Sequence, residues 1–165
     1  MKVNPRVAIG GAAAVVALAA PVVMLWEGKE NDPYRDLVGI TTVCYGETSG
    51  VQMRRYSDDE CSTMLMQRLA QFDAELSRCI TRPDVPVHVR AAVLSWAYNV
   101  GTDAACRSTL MQRLNAGQWL AACAELDRWV MAGGKRVQGL ANRRAAERKL
   151  CEEREVPAPA LGARG

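Results

Sequence analysis

Histidine and phenylalanine are nearly absent from this chain of 165 residues, and each occurs once. Because His88 is the only histidine, a nucleophile activated by histidine and a histidine-rich metal site are both disfavoured. No glycine-rich phosphate-binding loop of standard spacing occurs. No Cys-x-x-Cys or His-x-x-x-His spacing indicates a zinc site. We therefore expect neither a metal nor any other cofactor.

The chain also has little excess charge of either sign. Its formal net charge is +3 and its isoelectric point is near 8.6. This mild basicity does not by itself indicate an acidic partner, and we expect no binding to nucleic acid. Hydrophobic residues make up 49% of the chain and charged residues 24%, which is typical of a globular protein with a real core. The length predicts one domain, which we expect to be monomeric.

The N-terminal segment, residues 1–26, differs from the rest of the chain. Lys2 and Arg6 precede a stretch without charged residues at 7–25, an order typical of export signals. As a helix this stretch would be just long enough to cross roughly 30 Å of hydrocarbon. It is weakly apolar, however, because it is rich in Ala and Gly and contains Pro21.

Three interpretations of this segment remain open. Ala17-Leu18-Ala19 offers a site for cleavage of a signal peptide. A permanent transmembrane anchor is the least favoured, because Ala and Gly gain little from lipid. The interpretation that we favour is an uncleaved signal-anchor that inserts and can later leave the membrane. All three include or permit export.

The six cysteines all follow the apolar segment. An even number of cysteines in an exported domain predicts disulfides, although six cysteines allow 15 complete pairings. We expect the pairs Cys44–Cys61, Cys79–Cys106 and Cys123–Cys151, which join segments that the helical pattern could bring together. Scattered buried thiols are the alternative.

Residues from 57 onward show a helical pattern almost throughout. Ser57 and Glu60 have the spacing of a capping box, and apolar residues then recur at steps of three and four up to Leu76. Further helices are predicted at 87–100, around Leu110 and Leu114, at 119–130 and at 140–153. Gly and Pro residues mark the breaks between them. The tail at 156–165, rich in Pro, Ala and Gly, is predicted to be disordered.

Residues 33–56 have a different pattern, with short stretches of Thr, Val and Tyr between glycines. They predict a small hairpin sheet, preceded by a short helix or turn at 25–31. The fold class is therefore α+β, mostly α, with a small β-hairpin lobe beside a helical lobe. A cleft between two such lobes is a usual place for a binding site.

With histidine-based nucleophiles, metal sites and phosphate-binding loops disfavoured, carboxylates are the remaining candidates for catalysis in such a cleft. Cleavage of a glycosidic bond needs one protonated carboxylic acid and a second, ionised carboxylate. An apolar neighbour such as Trp26 would favour the protonated form of Glu27, while a polar turn would leave Asp36 ionised. Two nearby acids alone are more often part of a solvated surface.

The spacing Glu27-Gly28-x7-Asp36-x5-Thr42 resembles the catalytic signature of the phage-type lysozymes. Other stretches resemble that family in the same order, over roughly residues 25–151. They are Thr42 to Gly46, Ser95 to Gly101, Ser108 to Leu110, Leu114 to Gly117, Arg128-Trp129, Ala132 to Gly134, and Gly139-Leu140-x2-Arg143-Arg144-x2-Glu147. The N-terminal segment is similar to that of the signal-anchor-release (SAR) endolysins. The domain limits that follow are 1–26 for the signal-anchor, 27–155 for a lysozyme catalytic domain and 156–165 for the tail.

The resemblance implies a lysozyme-like fold and an endolysin that hydrolyses the β-1,4 bond between N-acetylmuramic acid and N-acetylglucosamine in peptidoglycan. Glu27 would be the general acid, Asp36 would hold or activate the attacking water, and Thr42 would orient that water. Tyr45, Asn99 and Arg143 are the candidate substrate contacts. Relatives often have histidine where this chain has Glu47, which makes Glu47 the reserve acid.

Several alternatives stay open at this stage. Thr42 could be only a strand residue, and Arg143 and Arg144 could pair with Glu147 on a helix surface. A lytic transglycosylase would need no water-holding Asp36, and a non-enzymatic, membrane-anchored wall-binding module would need neither acid. The resemblance further implies tethering to the inner membrane, with the N-terminus inside and the C-terminus outside. Release to the periplasm of a Gram-negative host would follow, with activity held off until then.

Overall fold

The computed structural model describes residues 5–153 as a set of helices with two small antiparallel sheets. The predicted tail at 156–165 lies outside the described residues. The first half of the described chain contains α1 (Pro5–Trp26), β1 (Glu30–Arg35), β2 (Thr41–Cys44) and α2 (Asp58–Leu76). The second half contains α3 (Val87–Val100), α4 (Thr102–Cys106), α5 (Thr109–Asn115), α6 (Trp119–Glu125), β3 (Met131–Ala132), β4 (Lys135–Arg136) and α7 (Gln138–Glu152).

Helix α1 contains most of the apolar N-terminal segment and packs into the core of the helical lobe. It contacts mainly α3 and α2. Its buried face consists of small and β-branched residues: Val15, Val16, Ala19, Ala20 and Val23. The helix continues through Pro21 and ends at Trp26. The short helix or turn expected at 25–31 is therefore wrong, because Trp26 ends a long helix and Glu30 already belongs to β1.

The structure also gives a direct observation on membrane spanning. In the part of the chain that it describes, no helix combines the length and the apolar character needed to cross a bilayer.

The β-hairpin lobe is formed by β1 and β2, which pair antiparallel with Tyr34 opposite Thr42. Gly39, in the connecting turn, has a φ of +81°, a conformation that glycine adopts without a steric penalty. A small separate core lies under this lobe, formed by Val43, Cys44, Tyr56 and Cys61. The lobe therefore buries far less apolar surface than the helices do.

Helix α2 begins at the predicted capping box. The Ser57 side chain accepts a hydrogen bond from the Glu60 N–H, and the Glu60 carboxylate accepts one from the Ser57 N–H. The helix runs from this lobe junction along the core, where Leu65, Leu69 and Leu76 are buried. The helical periodicity at 61–76 is thus confirmed.

The central helix α3 is the most buried element of the fold. Every residue from Ala91 to Ala97 is buried, and α1, α2 and α7 pack around it. Trp96 is fully buried and meets Trp129 edge to face, with ring centroids 5.0 Å apart. Gly101 ends the helix, as the sequence predicted.

Three short features differ from the sequence prediction. The helix expected at 119–130 stops at Glu125 and continues as one 3-10 turn at Leu126–Arg128. Helix α4 and the β3–β4 hairpin were not predicted. Elements of five and two residues are too short to show a hydrophobic period.

The six cysteines form the three expected disulfides. Cys44–Cys61 joins β2 to α2, Cys79–Cys106 joins the loop after α2 to α4, and Cys123–Cys151 joins α6 to α7. The first secures the β-hairpin lobe, and the other two lie among the helices.

Candidate active site

Glu27 is the first residue after α1 and lies where the helical lobe meets the β-hairpin lobe. Its backbone N–H donates to the Val23 carbonyl at 2.8 Å, so the end of α1 fixes its position. Its carboxylate Oε1 accepts a hydrogen bond from Arg143 Nη1 at 2.6 Å. The side chain remains 28% exposed. The apolar neighbourhood expected from Trp26 is thus not what holds the carboxylate, which is paired with a guanidinium.

Arg143 is itself held from below by a buried polar cluster. Its Nε donates to Glu147 Oε1 at 3.1 Å, and its Nη2 donates to the Ser95 carbonyl at 3.3 Å. The Ser95 hydroxyl donates to the same Glu147 oxygen at 2.9 Å. Arg144 Nε lies 3.0 Å from the other Glu147 oxygen. Arg143 and Arg144 thus both pair with Glu147, as in the alternative that the sequence left open, but all three residues are buried and not on a helix surface.

The two arginines share the single carboxylate of Glu147, and Glu27 supplies the second negative charge that balances them. Burial raises the pKa of Glu147 and lowers the pKa of Arg144, and the attraction between these opposite charges counters both shifts. Arg144 Nη2 also donates to Asn99 Oδ1 at 2.8 Å. Glu147, held in turn by Arg144, thus fixes Arg143 in the position from which it contacts Glu27.

The Glu27 carboxylate faces a cleft pocket of about 250 Å³. The pocket is lined by residues of both lobes: Glu27, Tyr45, Gly46, Arg68, Phe72, Tyr98 and Asn99. Two of the three candidate substrate contacts, Tyr45 and Asn99, therefore lie beside Glu27. The third, Arg143, lies beneath Glu27 in contact with it.

Tyr98 connects the two lobes at this pocket. Its hydroxyl donates to the Tyr45 carbonyl at 3.1 Å. Burial raises the pKa of Tyr98 to about 12, and the negative charges of Glu27 and Glu47 add to that shift. Tyr98 is thus a neutral donor at physiological pH. Tyr98 packs against the core and also lines the cleft pocket.

Asp36 and Thr42 are held within the β-hairpin lobe. Asp36 Oδ1 accepts hydrogen bonds from the N–H groups of Val38 at 3.0 Å and Ile40 at 2.8 Å. The Thr42 hydroxyl donates to the Ile40 carbonyl at 3.2 Å. Neither residue lines the Glu27 pocket. No hydrogen bond among the described residues joins Glu27, Asp36 and Thr42.

Glu47, the reserve acid, lies in an adjoining pocket. Its Oε1 accepts hydrogen bonds from the N–H groups of Thr48 and Ser49 at 2.9 and 2.8 Å. This second pocket is lined by Glu47, Ser49, Met64, Gln67, Arg68 and Gln71. Glu47 thus stabilises the turn after β2 and contributes a carboxylate to the cleft.

Sequence reasoning did not identify Arg68 and Phe72 as cleft residues. Their spacing of four on one helical face was the available signal, and the Arg68 guanidinium lies 5.0 Å from the centre of the Phe72 ring. As for metals, the residues that the structure describes contain no group of three His, Cys, Asp or Glu side chains arranged to hold an ion.

Comparisons with known proteins agree on one family. Residues 24–147 match the family described as phage lysozyme. The SAR-endolysin of bacteriophage PS119 is 39% identical over 127 residues, which cover 76% of this chain and 75% of that protein. The SAR-endolysin of Pseudomonas phage phiKMV is 36% identical over 148 residues, covering 87% of this chain and 90% of that protein. Among solved structures, the endolysin from Escherichia coli O157:H7 phage FAHEc1 superposes with a TM-score of 0.71. It is 27% identical, and the match covers 82% of this chain and 91% of that one.

Proposed function

The chain belongs to the phage lysozyme family, and on that premise we propose how its site residues divide the work of the reaction. It is a lysozyme-type glycoside hydrolase, a muramidase endolysin that acts on peptidoglycan and causes lysis of the host cell. The bond hydrolysed is the β-1,4 linkage between N-acetylmuramic acid and N-acetylglucosamine.

Glu27 is the general acid in this proposal. The observation that carries it is a partly exposed carboxylate on a cleft pocket, held by a buried guanidinium. Arg143 occupies Oε1 of Glu27 and leaves Oε2 without a hydrogen bond to the described chain. Glycoside hydrolysis needs an acid that gives a proton to the leaving oxygen. The Oε2 atom, directed by the Arg143 contact, would deliver that proton.

Asp36 is the residue proposed to hold the attacking water, and Thr42 the residue that orients it. The turn amides occupy Oδ1 of Asp36, and Oδ2 has no hydrogen bond within the described chain. Family members of this type invert the configuration at the anomeric carbon, which requires the two carboxylates to be far enough apart to admit water. The Thr42 hydroxyl would exchange its bond to Ile40 for one to the water.

We further propose that the chain is exported and first tethered to the inner membrane by residues 1–26, with the N-terminus inside and the C-terminus outside. Lys2 and Arg6 before the apolar stretch support this topology, and so does the name SAR-endolysin carried by the relatives. The weak apolar character of the stretch is what allows it to leave the bilayer for the periplasm. The released enzyme acts as a monomer.

In this proposal, leaving the membrane also assembles the site. Glu27 follows α1 directly, and its position depends on the packing of Val23 and Ala20 in the helical lobe. While residues 1–26 tether the chain to the membrane, Glu27 would lie at the membrane surface, away from Arg143. Enzyme that cleaves wall glycan at full rate while embedded in intact, energised cells would contradict this coupling.

The test compares the soluble wild type with Glu27→Gln and Asp36→Ala on cells whose outer membrane has been permeabilised. Loss of turbidity reports lysis, and analysis of reducing muramic ends reports hydrolysis. We expect the wild type to lyse cells and both variants to lose at least about 100-fold in rate, because each lacks an essential proton-transfer or water-holding group. Unchanged far-ultraviolet circular dichroism serves as the folding control.

The two rival functions give different results in the same experiment. A lytic transglycosylase would retain much of its activity in Asp36→Ala and would form anhydro-sugar ends instead of reducing ends. A wall-binding module without catalysis would show no difference between wild type and Glu27→Gln.

A further inference from the structure

Two cleft pockets meet at one side chain, Arg68 on α2. The first pocket contains Glu27, and the second contains Glu47 and Ser49 from the turn after β2. Arg68 lines both. The two pockets are thus consecutive parts of one groove, and a chain-like ligand at Glu27 would pass Arg68 on its way along α2.

The Arg68 guanidinium is held in place from two sides. Its Nη1 donates to Gln71 Oε1 at 3.1 Å, one turn further along the helix. Its guanidinium carbon lies over the Phe72 ring, 5.0 Å from the ring centre. A guanidinium has five N–H donors in a fixed fork, so most of them remain available to the groove.

In the described part of the chain, no carboxylate forms a salt bridge with this cation. Among the residues that the structure describes, Arg68 forms no salt bridge, although Glu27 and Glu47 line the same two pockets. Most other guanidiniums near these lobes are paired within the protein, as with Arg54 to Glu60 and Arg143 to Glu27. An oriented, unpaired guanidinium in a groove has the geometry of an anion-binding group.

We propose that Arg68 is a specificity-determining residue that binds a carboxylate of the wall strand beside the glycosidic bond whose oxygen Glu27 protonates. The inference rests on the proposed function, since it takes the groove to be the glycan site. Every muramic acid of peptidoglycan carries a lactyl group joined through an amide to a peptide with free carboxylates. A planar carboxylate matches the guanidinium fork, whereas the hydroxyl and acetamido groups of the sugars are neutral.

The test pairs one variant with one chemical change of the substrate. Arg68→Gln is assayed on native sacculi and on sacculi whose carboxyl groups have been converted to amides with a carbodiimide and an amine. On native sacculi we expect kcat/KM to fall about 10-fold, mostly through KM, because one charge-assisted contact is lost. On amidated sacculi the variant and the wild type should be equal within twofold, because no carboxylate is left to recognise.

Two control variants separate this role from general effects of charge and folding. Arg78→Gln removes the same charge from an exposed position that lines neither pocket, and it should leave kcat/KM unchanged on both substrates. Arg68→Lys should recover part of the loss on native sacculi, as expected for a cation without the planar fork. Equal losses for Arg68→Gln on native and amidated sacculi, or no loss on either, would overturn the proposal.

A third substrate identifies the source of the carboxylate. An amidase that removes the peptides takes away their carboxylates and frees the lactyl carboxyl, which is part of an amide in native sacculi. A defect of Arg68→Gln that disappears on these strands assigns the contact to a peptide carboxylate, and one that persists shows that Arg68 also binds the freed lactyl carboxylate. Failure of the proposed function itself would look different, because Glu27→Gln would then remain active on all three substrates.

Discussion

The two lobes hold their site residues in opposite ways. In the helical lobe, Glu27 is held by Arg143, a residue 116 positions away in the sequence, and Arg143 rests on the buried Glu147. In the β-hairpin lobe, Asp36 and Thr42 are held by backbone groups within four residues of themselves. Glu27, the proposed acid, is thus positioned by the tertiary fold, and Asp36 and Thr42, the residues proposed to hold the water, are positioned by a local turn.

This difference follows from how much each lobe can bury. The helical lobe has a large core around α3, which can shield an ion cluster that would otherwise be costly to desolvate. The β-hairpin lobe has four buried core residues, two of which belong to one disulfide. A lobe of that size relies on covalent and hydrogen-bonded restraints instead of packing. Substitutions that remove a restraint should therefore lower the unfolding free energy of the whole protein in the helical lobe, and should mainly loosen the local structure in the β-hairpin lobe.

The largest effect is expected from Glu147→Ala. Removal of this carboxylate leaves the guanidiniums of Arg143 and Arg144 buried without their shared partner, which costs about 3–5 kcal/mol of unfolding free energy. Urea denaturation followed by circular dichroism measures the loss. Glu152→Ala, which breaks an exposed pair with Arg148, serves as the control and should cost about 1 kcal/mol or less. Equal losses in the two variants would show that the buried cluster does not stabilise the helical lobe.

A somewhat smaller but more local effect is expected from the double substitution Cys44→Ala and Cys61→Ala. The two cysteines are 17 residues apart, and release of such a loop lowers stability by about 3 kcal/mol. Because little else secures the β-hairpin lobe, its strands should exchange amide hydrogens much faster than α3 does. Hydrogen exchange followed by mass spectrometry measures this difference.

The matched disulfide in the helical lobe supplies the comparison. Cys123→Ala with Cys151→Ala opens a loop of 28 residues and should lower global stability by a similar amount. In that variant the exchange rates of the β-hairpin should remain close to those of the wild type. Selective exposure of the β-hairpin after loss of Cys123–Cys151 would contradict the distinction between the lobes.

The smallest effect concerns acid stability at the junction of the lobes. The hydrogen bond from Arg54, with that from the Ser57 N–H, lowers the pKa of Glu60 from 4.5 to about 2. A carboxylate with a lowered pKa in the folded state stabilises the fold above pH 4.5, and this contribution is lost as the pH falls toward 2. Glu60→Gln should therefore show a shallower decline of the urea midpoint over that range. Asp59→Asn, in the same exposed turn, should keep the wild-type slope.

Features that depend on local sequence could be predicted well. The capping box at Ser57 and Glu60 and the end of α3 at Gly101 depend on neighbouring residues, and both occur where the sequence indicated. Helix α4 and the β3–β4 hairpin are too short to carry a period. The burial of α1 could not be predicted, because a helix without a distinct polar face does not show which of its sides packs against other helices.

The residues of the candidate site likewise fall into those that local sequence predicted and those whose contacts depend on the tertiary fold. The spacing of Glu27, Asp36 and Thr42 resembles a family signature, and this resemblance identified them as candidate catalytic residues. Tyr45 and Asn99, predicted as substrate contacts, line the same pocket as Glu27. The charged partner of Glu27 could not be inferred, because contacts between α7 and the end of α1 exist only after folding. Arg68 was overlooked because an exposed arginine on a helix normally indicates solvent and not a cleft.

The close packing of α1 has a consequence for how its sequence can evolve. Ala19 and Val23 are completely buried against neighbouring helices, so a larger side chain at either position would not fit without displacing others. In the proposed life history, the same helix must first be accepted by the export machinery as a membrane segment. Substitutions that improve insertion, such as Ala19→Leu, would then impair the released enzyme. Under the proposal, each residue on this buried face must suit first the membrane and then the protein core, which favours small and β-branched side chains on that face.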